Sequence, residues 1–313
     1  MRIGVSGASG QLGAATVTEL VRRGGHDIIG ISRSPERVAA PVEGRLGDYD
    51  RPETLAAAYA GLDRLLLIPT SEMGPGRRAG QSLAAIVAAV AAGVGHIVLM
   101  SSAGTRKAEE PDVYASYWAA EQRLMRTAPR WTILRMNYYA ESFIQEAQMS
   151  LGASVLTGLG ENRVAFVSRE DVAAAAAGIL TSEGHAGAIY HATGPASLTG
   201  AERVALVAEA SGRPFSFLVL PEPVLRQGLE QAGLPSPVVG AVLSIQEKFV
   251  QGGFDVVTGD VERLAGRKPR ARCDDVLARA FPRAAEASAA DGWPYARFVI
   301  SSWRLRIRCG GPG

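Results

Sequence analysis

Cysteine, lysine and histidine are all scarce in this chain of 313 residues, and each shortage closes off a class of function. The two cysteines, Cys273 and Cys309, stand far from any C-x-x-C spacing, so no disulfide framework is expected and a reducing compartment is. Long hydrophobic runs are missing too: the longest, residues 83–94, is too short to span a bilayer and ends at Gly93 and Gly95. Met1 and Arg2 lead directly into an apolar strand pattern with no charged-then-apolar leader, so a soluble, cytoplasmic protein with no membrane span is expected. The formal net charge of +2 provides no basic field for a polyanion, and nucleic acid is not an expected partner. Homo-oligomerisation is compatible with all of this.

The shortage of lysine removes one reaction mechanism. Lys107, Lys248 and Lys268 are set against thirty arginines, a skew that reads with the many alanines as a compositional habit. Short-chain dehydrogenases of the common type use a Tyr-x-x-x-Lys pair, in which the lysine helps the tyrosine give its proton to a carbonyl. Here Tyr114 is followed four residues later by Trp118, and Tyr117 by Glu121. Tyr49, Tyr59, Tyr138, Tyr139, Tyr190 and Tyr295 also lack a lysine at that distance. No secure catalytic acid is therefore visible. His26, His96, His185 and His191 stand singly and read as satisfied structural residues, with no metal pattern. Ser168, three residues before Asp171 and ahead of an alanine-rich stretch, reads as a helix cap rather than half of an acid–base pair.

What is present is a regular alternation of aliphatic strands and helices. Residues 2–6, 27–32, 64–69, 96–101 and 131–135 read as strands, with a short one at 45–46. Residues 11–23, 52–59, 80–92 and 113–128 read as the helices between them. Near-continuous apolar strands alternating with helices imply an α/β, doubly wound Rossmann-type parallel sheet, with ligand at the carboxyl ends of its strands. Residues 1–150 form this dinucleotide-binding domain. Residues 151–285 are expected to form a smaller α+β lobe, with strands at 164–167, 188–192 and 215–220, a helical stretch at 221–249, and elements returning to the main core. From about residue 286 the character changes: the end, with Arg297, Arg304, Arg306 and Arg308, reads as an extension outside the folded unit. A basic amphipathic segment docking on a partner or membrane surface is the alternative.

Gly7-Ala8-Ser9-Gly10-Gln11-Leu12-Gly13 follows the first strand directly and leads into the first helix. Gly7 permits the tight turn, Gly10 lets backbone approach a pyrophosphate, and Gly13 lets the helix pack on the strand. The helix N-terminus supplies free N–H groups and the positive end of its dipole. The second strand then ends in Ile31-Ser32-Arg33-Ser34, with Arg37 one turn on. A carboxylate at this place would bind the ribose hydroxyls of NAD. Arg33 instead offers a planar cation where a 2′-phosphate would lie, so NADP(H) is the expected cofactor.

Val5–Gly13, Ser32–Arg37, Gly47–Glu72, Met100–Gly104, Trp131–Ser142 and Val167–Leu180, in this order and spacing, resemble the NmrA-like group of atypical short-chain dehydrogenases and reductases. Within that group the chain looks most like the NADPH-dependent quinone oxidoreductases of the QOR2 type, over residues 1 to about 280. The resemblance implies NADPH held by the glycine turn, by Arg33 and by Pro69, Thr70 and Ser71 after the fourth strand. It also implies a quinone-sized site near Asn137, Tyr138, Tyr139 and Phe166, whose rings suit stacking on a flat acceptor. An acceptor that becomes a stabilised anion can collect its proton from solvent, in keeping with the missing lysine. The family often carries histidine or lysine in the helix before the sixth strand; Tyr117 or Trp118 stands there in this chain. Tyr117 is accordingly the candidate proton donor. The expected activity is hydride transfer from NADPH to a quinone or similar conjugated acceptor, with a non-catalytic NADP(H)-binding redox sensor as the alternative.

Overall fold

The structure, a computed structural model, describes residues 1–72, 74–110 and 112–269. The basic extension expected from residue 286 onward lies outside the described residues, as do both cysteines. In chain order the first half is β1 (Arg2–Ser6), α1 (Gln11–Arg23), β2 (Asp27–Ser32), β3 (Glu43–Leu46), α2 (Leu55–Tyr59), β4 (Arg64–Leu67), α3 (Arg77–Ala91), β5 (His96–Ser102), α4 (Val113–Thr127) and β6 (Trp131–Met136). There follow β7 (Tyr138–Tyr139), α5 (Ala140–Met149), β8 (Val155–Gly158), β9 (Val164–Val167), α6 (Arg169–Thr181) and β10 (Ala188–Ala192). The last elements are β11 (Ser197–Leu198), α7 (Gly200–Ser211), β12 (Ser216–Val219), α8 (Glu222–Gln231), α9 (Ser236–Val250) and α10 (Asp260–Ala265).

Among the described residues seven strands form one sheet in the order β10-β6-β5-β4-β1-β2-β3, every pairing parallel. The strands read as unbroken apolar runs because both faces are covered. Ile3, Val5, Leu66 and Val98 face the side packed with α1 and α6, and Ile29, Leu65, Leu67 and Ile97 face the side packed with α2, α3 and α4. The chain leaves β1 for β2 on one side and reaches β4 on the other, so a crevice opens at the carboxyl ends of β1 and β4.

The second half of the chain divides between two places. α6, β10 and α10 return to the main sheet: β10 extends it beside β6, and α6 packs between α1 and α10 through the alanine run from Ala173 to Ala177. Small side chains let these helices approach closely. α5, α7, β7, β9 and β11 enclose a separate aromatic core of Phe143, Phe166, Phe249 and Phe254 with Tyr138, while β8 and β12 pair in parallel. No helix of the described residues is long and apolar enough to cross a membrane.

Several element boundaries differ from the sequence expectation. The stretch 221–249 is two helices, separated at Gly233 (φ 80°) and Pro235. α3 begins at Arg77, three residues earlier than its apolar period, because Gly76 (φ 70°) turns the chain into it. The fourth strand ends at Leu67, and the twelfth is shorter than 215–220. α5, which was not among the expected helices, buries Ala140, Phe143, Ile144 and Ala147 at helical spacing and turns Gln145 and Gln148 outward.

The amino-terminal edge of the sheet is closed by a polar lock. Arg64, 4% exposed, donates to the carbonyls of Ile179 and Leu180 at 3.2 Å each, capping the end of α6, and also bonds Ser182 and Glu183. Thr132 Oγ1 donates to His185 O at 2.6 Å, so its contact with His96 Nε2 at 2.8 Å is one it accepts. His96 is therefore the neutral Nε2–H tautomer. Its Nδ1 is buried without a partner, as are those of His26 and His191. Burial and then the Arg64 charge hold His96 down to about 4 against an ordinary 6.5. The folded value lies below the unfolded one, so the unfolded chain takes the proton first. The stabilisation from neutral His96 is complete above pH 6.5 and is lost as pH falls toward 4. Urea unfolding of His96→Gln beside the wild type should show a stability difference that shrinks over this window. A difference that stays constant would refute the assignment.

Candidate active site

The residues between β1 and α1 form a turn that only glycine can make. Gly7 adopts φ 94°, and a Cβ on Gly13 would lie 2.1 Å from Gly7 O. The turn is tied to the neighbouring strand: Gly7 N and Ala8 N both donate to Ile31 O, at 2.9 and 3.0 Å. Ser9 Oγ and Ser32 Oγ lie 2.7 Å apart. α1 starts at Gly10 with no side-chain cap and no acidic residue in its first turn. The amides of Gln11, Leu12 and Gly13 thus precede the first intrahelical bond, from Ala14 N to Gly10 O at 2.8 Å, and point out of the helix end. Such an end, with its positive dipole and no competing carboxylate, can accept an anion such as a diphosphate.

Because the turn is bonded to Ile31 and Ser32, the next residue, Arg33, leaves the sheet beside it. Arg33 and Arg37 are both exposed, and no hydrogen bond or ion pair among the described residues holds either guanidinium to a side chain. Arg33 acts at longer range on Asp50, whose carboxyl is held below its ordinary range first by a hydrogen bond from Gln81, then by Arg77, and least by Arg33. The loop after β4 closes over this corner. Thr70 Oγ1 donates to Gln81 Oε1 at 2.5 Å, Gln81 Nε2 donates to Asp50 at 2.9 Å, and Arg77 reaches Asp50 and Glu72 at 3.1 Å each. Pro69 and Thr70 are half-buried and Ser71 is exposed. Beneath them Tyr49 Oη donates to Ser6 Oγ at 2.8 Å, and burial pushes its phenol up to about 12.

The opposite wall is built from the ends of β5 and β6 and the start of α4. Glu121, fully buried, occupies the place where a Tyr-x-x-x-Lys pair would put its cation. Arg135 grips both its oxygens at 2.9 and 2.6 Å, and Ser101 Oγ donates to it at 2.6 Å. Three tyrosines lie close enough to influence one another here. Tyr114 is 1% exposed with an unpartnered buried hydroxyl, and burial drives its phenol strongly upward. Tyr139 donates to Met136 Sδ at 2.8 Å and lies under Arg169. Tyr117 is half-buried, and among the described residues its hydroxyl makes no hydrogen bond, leaving it open.

The residues expected to line an acceptor site do not stand together on one wall. Asn137 is 2% exposed and its Nδ2 donates to Phe254 O at 3.1 Å, fastening the 254–256 segment. Phe166 is buried against Phe143, with ring centroids 4.9 Å apart, and Tyr138 meets Phe166 and Phe249 edge-on while donating to Glu146. Tyr138 and Phe166 pack into the core of the second lobe through edge and tilted ring contacts, and Asn137 is held beside it by its hydrogen bonds to the 254–256 backbone. Tyr139 is half-buried and packs against the core of the main sheet instead. Two residues that local motifs could not disclose are Arg78, from α3, and Glu121; one meets Tyr117 and the other Arg135 across separate elements.

A family model described as NAD(P)H-binding matches residues 7–183. The chain is 32% identical to a (4-alkanoyl-5-oxo-2,5-dihydrofuran-3-yl)methyl phosphate reductase of Streptomyces griseus, over 85% of this chain and 93% of that one. Its structure superposes on the NADPH-dependent quinone oxidoreductase QOR2 of Escherichia coli, complexed with NADPH, with a TM-score of 0.82 and 28% identity, covering 89% of this chain and 99% of that one. It also superposes on the Citrobacter sp. triphenylmethane reductase complexed with NADP(H), with a TM-score of 0.79 and 27% identity, covering 90% and 100%. The glycine-only turn, the uncapped helix behind it and the span of the matched model agree, and the chain belongs to the NAD(P)H-binding family.

Proposed function

We propose that this NAD(P)H-dependent oxidoreductase prefers NADPH and passes hydride to a quinone or comparable conjugated acceptor. The observation that carries the acceptor class is Glu121. With a buried, arginine-bound carboxylate where the lysine of a carbonyl-reducing pair would stand, the crevice is built for acceptors whose product is a stabilised anion needing only a weak proton donor.

NADPH, when bound, supplies the hydride. The amides of Gln11, Leu12 and Gly13 would hold its diphosphate, and Arg33 would meet the 2′-phosphate with charge-assisted hydrogen bonds. The loop holding Thr70, tied through Gln81 to Asp50, walls off this side of the crevice. Tyr117 flanks the acceptor, and its hydroxyl donates to the oxygen on which negative charge develops. Catalysis is chiefly positional: holding donor and acceptor in contact removes most of the entropy that a bimolecular hydride transfer must lose.

Calorimetry should find that Arg33→Asp weakens NADPH about 30-fold while NADH changes less than about threefold, since a charge-assisted contact contributes on the order of 2 kcal/mol. Equal losses would remove Arg33 from phosphate recognition. Mixing the enzyme with NADPH and 1,4-benzoquinone should discharge the reduced-nicotinamide absorbance. Tight NADPH binding with no consumption across a panel of substituted benzoquinones would overturn the acceptor class.

A further inference from the structure

We propose that Arg78 is the positioning residue through which Tyr117 delivers its proton, replacing from across the crevice the cation that position 121 lacks; this rests on the hydride-transfer reading above. Arg78 sits in the first turn of α3 and is 6% exposed. Its guanidinium carbon lies 5.3 Å from the centroid of the Tyr117 ring, across the packed α3–α4 pair.

Two neighbouring tyrosines are also covered by arginines, which makes the comparison decisive. Arg106 lies over Tyr114 at 5.2 Å and Arg169 over Tyr139 at 4.9 Å. Arg106 and Arg169, however, are partly exposed, with 34% and 26% of their side chains open to solvent. The phenols beneath them are spent: Tyr114 is sealed, and Tyr139 is bonded to Met136. Arg78 and Tyr117 alone of these three pairs join a buried cation to an open hydroxyl.

The chemistry suits the geometry. A guanidinium keeps its charge at any working pH, and buried over a ring face it interacts more strongly than in water. Negative charge appearing on the phenol oxygen spreads into the ring and is met by that cation, which also fixes the ring plane and so the direction of the hydroxyl. In the step, hydride leaves NADPH with its electron pair and forms the new bond at the quinone, which gains two electrons. The Tyr117 O–H bond breaks as an O–H bond forms on the reduced quinone, and solvent returns a proton to the tyrosine oxygen. One NADPH, one quinone and one proton become NADP+ and a hydroquinone.

A cationic triphenylmethane dye is the discriminating acceptor, because hydride alone converts it to its neutral leuco form with no proton required. Single-turnover NADPH oxidation is followed with 1,4-benzoquinone and with such a dye, for wild type, Arg78→Met, Arg78→Lys, Tyr117→Phe and the Met/Phe double variant. The ratio of quinone rate to dye rate should fall about tenfold in Arg78→Met and in Tyr117→Phe, and Arg78→Lys should restore most of it. The double variant should fall no further than Tyr117→Phe, as expected of residues acting as one unit. The solvent deuterium effect on the quinone rate should rise in Arg78→Met. Equal losses on both acceptors with an unchanged deuterium effect would make Arg78 a structural residue and overturn the assignment. A wild type that oxidises NADPH with neither acceptor would instead overturn the hydride-transfer reading itself, a failure visible before any variant is made.

Discussion

The structure depends on one close approach, that of the first turn of α1 to the backbone of Gly7. With no room for a Cβ at Gly13, the helix end is pressed against the end of β1, and its unpaired amides open into the crevice. The neighbouring segments are fastened around that contact. Ile31 and Ser32 are hydrogen-bonded to the turn, so Arg33 has a fixed origin beside it. The loop after β4 is fastened to the same corner through Gln81 and Asp50.

The cofactor half was legible in the sequence because its signals are local. A glycine turn of fixed spacing, a strand on each side and an arginine at the second strand's end all lie within residues 2–33. The acceptor side was not legible in this way. Asn137, Tyr138 and Phe166 were read as ligand-facing, yet they serve the second lobe's core, because partners such as Phe249 and Phe254 come from far along the chain. The same is true of Arg78 over Tyr117 and of Arg135 on Glu121: each joins side chains from different elements, and no spacing rule connects them.

The absent lysine illustrates how a negative observation gains meaning from structure. In the sequence it showed only that one mechanism was unsupported. In the fold the vacated place holds a carboxylate that is fully buried and carries three hydrogen bonds. Leaving either partner of such a pair unmatched in the interior costs several kcal/mol, roughly 3–5, so the site could not regain a lysine by a single substitution.

The course of the chain through the sheet has a consequence for how the protein is made. β10 and α6 interrupt the second lobe in the chain and α10 follows all of it, yet β10 covers the edge of β6 and the three together cover one face of the cofactor half. A ribosome must therefore release residues as late as Ala265 before the first 136 can bury their apolar surface completely. Until Ala192 has emerged β6 presents an unpaired edge, a template for joining other nascent chains. Synthesis rate and chaperone cover, rather than final stability, would then govern how much active protein a cell obtains.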